Sequence, residues 1–153
     1  MKRVYIAGPY SSDNIIGGLE NRRRGRRMAA KLLQHGIAVF CPWLDSELFM
    51  QLREGETITR EQIQAHSMAW LRASEAVLVL KGWNKSNGTM AEIVAAQDLD
   101  IPVFFNPIDL YQWAEVQDKI PMCVSCGGDT RIRNPTGTCD HLYYPENIRK
   151  VGT

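Results

Sequence analysis

Four short runs in this chain are apolar from end to end: residues 4–7, 37–40, 76–80 and 101–105. A strand with one wet face alternates apolar and polar residues, and these runs do not. They read as strands buried on both faces, which is the pattern of a parallel sheet covered by helices. The stretches between them carry helical spacing. Helices are expected over 19–35, 59–73, 89–99 and 108–116, with a short one over 46–53. Leu19, Met28, Ala29, Leu32 and Leu33 share one face of the first, and Gly36 stops it. Thr59 and Gln62 form a capping-box pattern at the start of the second. Residues 1–117 therefore read as a doubly wound α/β domain, Rossmann-like or flavodoxin-like, with a strand order such as 2-1-3-4. Ligands bind such sheets beyond the carboxyl ends of the strands, at the switch point between strands one and three. The loops 8–12 and 82–88 flank that crevice.

Composition sets the outer bounds. The 153 residues suit one domain with a small appendage, and 44% apolar with 23% charged residues describes an ordinary globule. No apolar run approaches the roughly 20 residues of a membrane span. The N-terminus shows no signal-peptide pattern, so a cytoplasmic protein is expected. The net charge of +1 gives no general pull towards nucleic acid or membranes. The local exception is Arg22, Arg23, Arg24, Arg26 and Arg27. These read first as a solvated helix face and second as a grip on phosphate, with Gly25 among them hinting at a close approach.

The richest stretch is Ser86-Asn87-Gly88-Thr89-Met90-Ala91-Glu92. It follows a buried strand and opens a helix, where free N–H groups and the macrodipole attract anions. Gly88 admits a ligand close to the backbone, and Ser86 adds a hydroxyl donor. Glu92 in or near the first turn is expected to be ionised, and a positioned carboxylate can attack a sugar C1 atom. The competing reading is a glutamate that only complements the dipole. On the facing wall, Gly8 and Pro9 turn the chain while Tyr5 and Tyr10 offer hydroxyls or rings. Tyr5 as plain core and Gly8-Pro9 as plain turn chemistry compete with that.

Tyr5-x-x-Gly8-Pro9-Tyr10, Leu80-Lys81-Gly82-Trp83 and Ser86-x-Gly88-x-x-x-Glu92 together resemble the nucleoside 2-deoxyribosyltransferase superfamily over residues 2–105. The chain is similar to its small bacterial and phage members, and in the same places to 2′-deoxynucleoside 5′-phosphate N-hydrolases. The resemblance implies that Glu92 displaces the base and forms a glycosyl-enzyme ester, with Tyr5 beside it. It also implies substrate contacts from Gly8, Pro9, Tyr10, Ser67, Gly82, Trp83, Ser86 and Gly88, and more loosely from Asn21 and Arg22. Ser86 and Gly88 match positions that hold a 5′-phosphate. A nucleoside or nucleotide substrate, a homo-oligomer and no catalytic cofactor follow. One departure stands out: the family aspartate falls on Ser67, which cannot protonate a leaving base as a carboxylic acid can. His66 is adjacent, Glu61 is the nearest upstream carboxylate, and Asp45 after strand two is a candidate substitute, or else a surface carboxylate or helix cap. A non-catalytic nucleotide-binding or sensing protein is the alternative. A nucleic-acid module using the arginine helix and the cysteine-bearing tail is a third reading, disfavoured by the charge.

Residues 118–153 change character. Cys123, Cys126, Cys139 and His141 offer three thiolates and an imidazole, a tetrahedral set for structural zinc in a knuckle-like tail. Three unrelated buried thiols are the other reading. Cys41 lies in an apolar run and reads as core.

Overall fold

The computed structural model describes residues 1–115. Its centre is a four-stranded, all-parallel sheet in the order β2-β1-β3-β4. The strands are β1 (Arg3–Ala7), β2 (Ala38–Phe40), β3 (Ala76–Val79) and β4 (Val103–Phe104). The helices are α1 (Ile15–Gln34), α2 (Ser46–Phe49), α3 (Arg60–Ala73), α4 (Asn87–Asp98) and α5 (Pro107–Trp113). This is the α/β class expected, in the expected order. Among the described residues no helix is long and apolar enough to cross a membrane. The cysteine–histidine quartet of the tail lies outside the described residues.

Alternation along the strands divides the core between two faces. On one face Tyr5, Ala7, Val77 and Val79 pack with Leu71 of α3 and with Ile93 and Ala96 of α4. Val4, Ile6 and Leu78 therefore point the other way and are equally buried, as are Leu32 of α1 and Leu110 of α5. Both faces are covered, so no strand position could be polar without a partner. That is why the runs are apolar throughout.

Several boundaries differ from the sequence expectation, each for a local reason. Helix α1 starts four residues before Leu19, because Asn14 caps it by accepting from Gly17 N at 2.8 Å. Two glycines in its first turn, Gly17 and Gly18, hide that start from any propensity argument. Helix α2 ends at Phe49 rather than at Arg53. Strand β4 is only two residues long. Ile101 N instead bonds Ala96 O, finishing the turn after α4, and Asp100 adopts a positive φ of 54° there. Helix α5 begins at Pro107 under an Asn106 cap. The capping box at α3 forms as expected, with Thr59 and Gln62 bonding each other's backbone.

Helix α1 crosses the loop after β2 at very short range. A Cβ on Gly25 would lie 2.2 Å from the Trp43 ring. Trp43 is fully buried there, and its Nε1 donates to Pro9 O at 3.3 Å, joining the loops after β1 and β2.

Candidate active site

A cavity of about 660 Å³ opens beyond the carboxyl ends of β1, β2 and β3, a size usual for small-molecule sites. Four pieces of chain enclose it. Gly8 and Tyr10 come from the loop after β1, Trp43 and Asp45 from the loop after β2. Residues between Ile58 and Met68, including Ser67, come from α3 and the segment just before it, and Ser86, Gly88 and Glu92 come from α4 and its N-cap. Tyr10, Ser67, Ser86, Gly88 and Glu92, distant in sequence, thus share one chamber.

Ser86 is the N-cap of α4. Its Oγ accepts from Thr89 N at 3.3 Å and from Thr89 Oγ1 at 2.9 Å, which leaves its own proton for a ligand. Thr89 is buried and fixes this arrangement. An added Cβ on Gly88 would meet nothing within 4 Å, so the site beside the helix start is open space. Of the N–H groups in that first turn, Thr89 N is taken by Ser86 Oγ, and those of Asn87 and Gly88 have no acceptor within the helix.

Glu92 lies in the second turn of α4, not the first, so it is less exposed to the helix dipole than the sequence suggested. Tyr5, fully buried in the sheet, donates its hydroxyl to Glu92 Oε1 at 2.6 Å. Burial raises the Glu92 pKa to about 7, and the Tyr5 bond pulls it partly back. The expectation of a plainly ionised carboxylate is therefore corrected: near neutrality the group is poised between its two forms. Burial first, then the neighbouring Glu92 charge, holds the Tyr5 phenol far above its usual range, so Tyr5 stays a donor. Ser67 acts on the same phenol in the opposite sense, lowering its pKa. Tyr5 is at once a core residue and the orienting partner of Glu92, and acts from beneath the cavity.

Asp45 is not a surface carboxylate, and although it stands at the N-cap position of α2 its side chain does not cap. It is 8% exposed, makes no capping bond to α2, and lines the cavity. Its Oδ1 is 3.8 Å from His66 Nε2, and its Oδ2 is buried without a hydrogen-bond partner. Burial raises its pKa, against the lowering effect of His66. Glu61, the other upstream carboxylate, is exposed in the first turn of α3 and outside the cavity lining.

Other expected contacts fall elsewhere. Gly82 takes a positive φ of 90°, which turns the chain away, and Trp83 packs its ring 5.3 Å from Phe105 beside β4. Pro9 is held by its carbonyl to Trp43. Asn21 Nδ2 donates to Ser11 O at 3.0 Å, tying down the first loop. Arg22 stacks over the Tyr10 ring at 5.0 Å and lines a separate groove of about 320 Å³. The arginine run is not a free solvated face. Arg24 donates to Lys81 O at 3.2 Å, and Arg26 to Trp43 O at 2.9 Å and to Ser46, bracing the loops after β3 and β2. Gly8 is needed less for a ligand than for packing, since a Cβ there would sit 2.9 Å from Leu80 Cβ. Cys41 is buried, as expected, with its thiol pushed up to about 11 by burial.

Apart from Ser67, the contribution of the α3 segment to the wall escaped the sequence reading. Ile58, Arg60, Ile63 and Met68 line the chamber, and only the docking of α3 brings them there. Among the described residues no group of three potential metal ligands stands together.

The model of a family described as a domain of unknown function (DUF4406) matches residues 2–105. Two solved structures share the architecture. A 2-deoxyribosyltransferase from Bacillus psychrosaccharolyticus is 18% identical, with a TM-score of 0.50 over 66% of this chain and 69% of that one. A conserved protein from Enterococcus faecalis V583 is 20% identical, with a TM-score of 0.53 over 79% and 77%. No curated protein matches the chain in sequence.

Proposed function

Since the chain belongs to the DUF4406 family, and through it to the fold family of the 2-deoxyribosyltransferases, we propose that it cleaves the N-glycosidic bond of a nucleoside or nucleoside 5′-monophosphate. The observation that carries this reading is Glu92. A carboxylate held by a phenol at 2.6 Å, on the wall of a 660 Å³ chamber, is oriented like a nucleophile. Glu92 attacks the sugar C1 atom, the C1–N bond breaks, and its electron pair leaves with the base. Water or a second base then attacks C1 and frees Glu92. The Ser86 proton and the open N–H groups at Gly88 suit a 5′-phosphate, which is why the monophosphate is included.

The test is release of free base from a panel of ribo- and deoxynucleosides and their 5′-monophosphates, followed by chromatography. Base release that disappears in Glu92→Ala, with the fold intact by circular dichroism, is the expected result. A second reading is a nucleotide-binding or sensing protein, favoured by Ser67 where the resembling enzymes carry an aspartate. Nucleotide retention without any base release selects it. For the tail we propose a structural zinc held by Cys123, Cys126, Cys139 and His141. We also propose a cytoplasmic location and a homo-oligomer, the last supported by exposed Ile15, Ile16 and Leu19 on α1.

A further inference from the structure

We infer that Thr89 is a positioning residue: it fixes the Ser86 hydroxyl as a donor, and so makes the chamber prefer a nucleoside 5′-monophosphate to the nucleoside. The inference rests on the glycosidic reading above and narrows its substrate class. Each of the two hydroxyls has one proton to give and two lone pairs to fill. Thr89 is 1% exposed, in the first turn of α4. A threonine in a helix commonly gives its hydroxyl proton to a carbonyl about one turn back. Thr89 does not. Among the described residues its hydroxyl meets only Ser86 Oγ, at 2.9 Å. A buried hydroxyl proton without an acceptor costs stability. The Thr89 proton therefore lies on that bond and Ser86 Oγ accepts it, since the reverse direction leaves the Thr89 proton with no acceptor.

Ser86 Oγ also accepts from Thr89 N at 3.3 Å, the N-cap bond of α4. Both of its lone pairs are then occupied. Ser86 has nothing left to offer a ligand except its proton, and the tetrahedral oxygen points that proton away from Thr89. Ser86 is only partly buried and lines the same chamber as Glu92.

A hydroxyl that can only donate tells two ligands apart. The oxygens of a 5′-phosphate accept, and near neutrality most of the group carries no proton. The bond is also charge-assisted, roughly twice as strong as a neutral one. A 5′-hydroxyl can accept from Ser86 too, but its own proton then needs an acceptor, which Ser86 can no longer be. Without the Thr89 hydroxyl, Ser86 regains a free lone pair and a free rotor, and the preference fades. The cap bond to the N–H of residue 89 stays whatever that side chain is, so the helix start itself does not depend on the hydroxyl.

The experiment uses the full chain carrying Glu92→Gln, which does not consume its ligand. Calorimetry gives Kd for the 2′-deoxynucleoside 5′-monophosphates and for their nucleosides. The monophosphate of the best-bound base is expected to bind more tightly than its nucleoside. Thr89→Val keeps the side-chain shape and removes the hydroxyl, and is expected to narrow that ratio about tenfold. Thr89→Ala, which loses the same hydroxyl, narrows it too and serves if the valine variant does not fold. Thr89→Ser keeps the hydroxyl and most of the ratio. Ser86→Ala also narrows the ratio, and Thr89→Val added to it has no further effect, because Thr89 acts through Ser86. An unmoved ratio in folded Thr89→Val, an equal loss in Thr89→Ser, or a further loss on the Ser86→Ala background overturns the inference. So does a chain that binds no monophosphate more tightly than its nucleoside. Base release by the native chain is a separate readout. Its absence, with the ratios as expected, overturns the glycosidic reading and leaves Thr89 as the selector of a bound nucleotide.

Discussion

At the scale of single residues, the Tyr5–Glu92 contact sets how the site answers to pH. A nucleophile with a pKa of about 7 is mostly protonated at pH 6, so kcat/KM rises with pH through neutrality. The Tyr5 bond favours the ionised form. Tyr5→Phe therefore moves the acid limb of the profile upward and costs more activity at pH 6 than at pH 8.5. A profile that drops evenly, with its limb unmoved, assigns Tyr5 to packing alone. The residue types and spacing of Ser86, Gly88 and Glu92 were visible in the sequence. The direction of the Glu92 shift was not, because the sequence shows a nearby helix start but not the burial that outweighs it.

At the scale of elements, glycine plays two opposite parts. Gly25 is where α1 meets the Trp43 loop, and any Cβ collides with the indole. Gly25→Ala, although favourable for an isolated helix, is expected to lower stability by about 1–3 kcal/mol through overpacking, measured by denaturant unfolding. Gly88 faces open space, so Gly88→Ala should unfold within about 1 kcal/mol of the native chain while weakening substrate use. A rise in KM that grows for 5′-monophosphates over nucleosides places the phosphate at that helix start, and an equal effect on both removes it. The arginine-rich stretch of α1 illustrates the limit of pattern reading. Its charge suggested a wet face or a phosphate grip, whereas Arg24 and Arg26 satisfy carbonyls of two loops. Loop carbonyls leave no mark in a sequence.

For the whole molecule, the chamber costs stability. Glu92 titrates at about 7 when folded, above its ordinary 4.5, so the folded state keeps its proton to higher pH. The resulting stability is full below pH 4.5 and is lost as pH rises through 7. Glu92→Gln should match the native chain near pH 4 and exceed it at pH 8 by up to about 3 kcal/mol; thermal unfolding at both pH values checks this. One zinc per chain by elemental analysis, absent after Cys126→Ser, checks the tail. By itself the sequence determined the α/β class, because strands buried on both faces must be apolar throughout and crossovers need helices, while the order β2-β1-β3-β4 came from the structure. It also marked the capping box and the Ser86–Glu92 segment, whose chemistry is local. Only the tertiary structure decided that Asp45 is buried, that α3 closes the chamber, that Tyr5 reaches Glu92, and that Gly82 and Trp83 turn away. Each of these depends on contacts between segments tens of residues apart, and local periodicity carries no record of them.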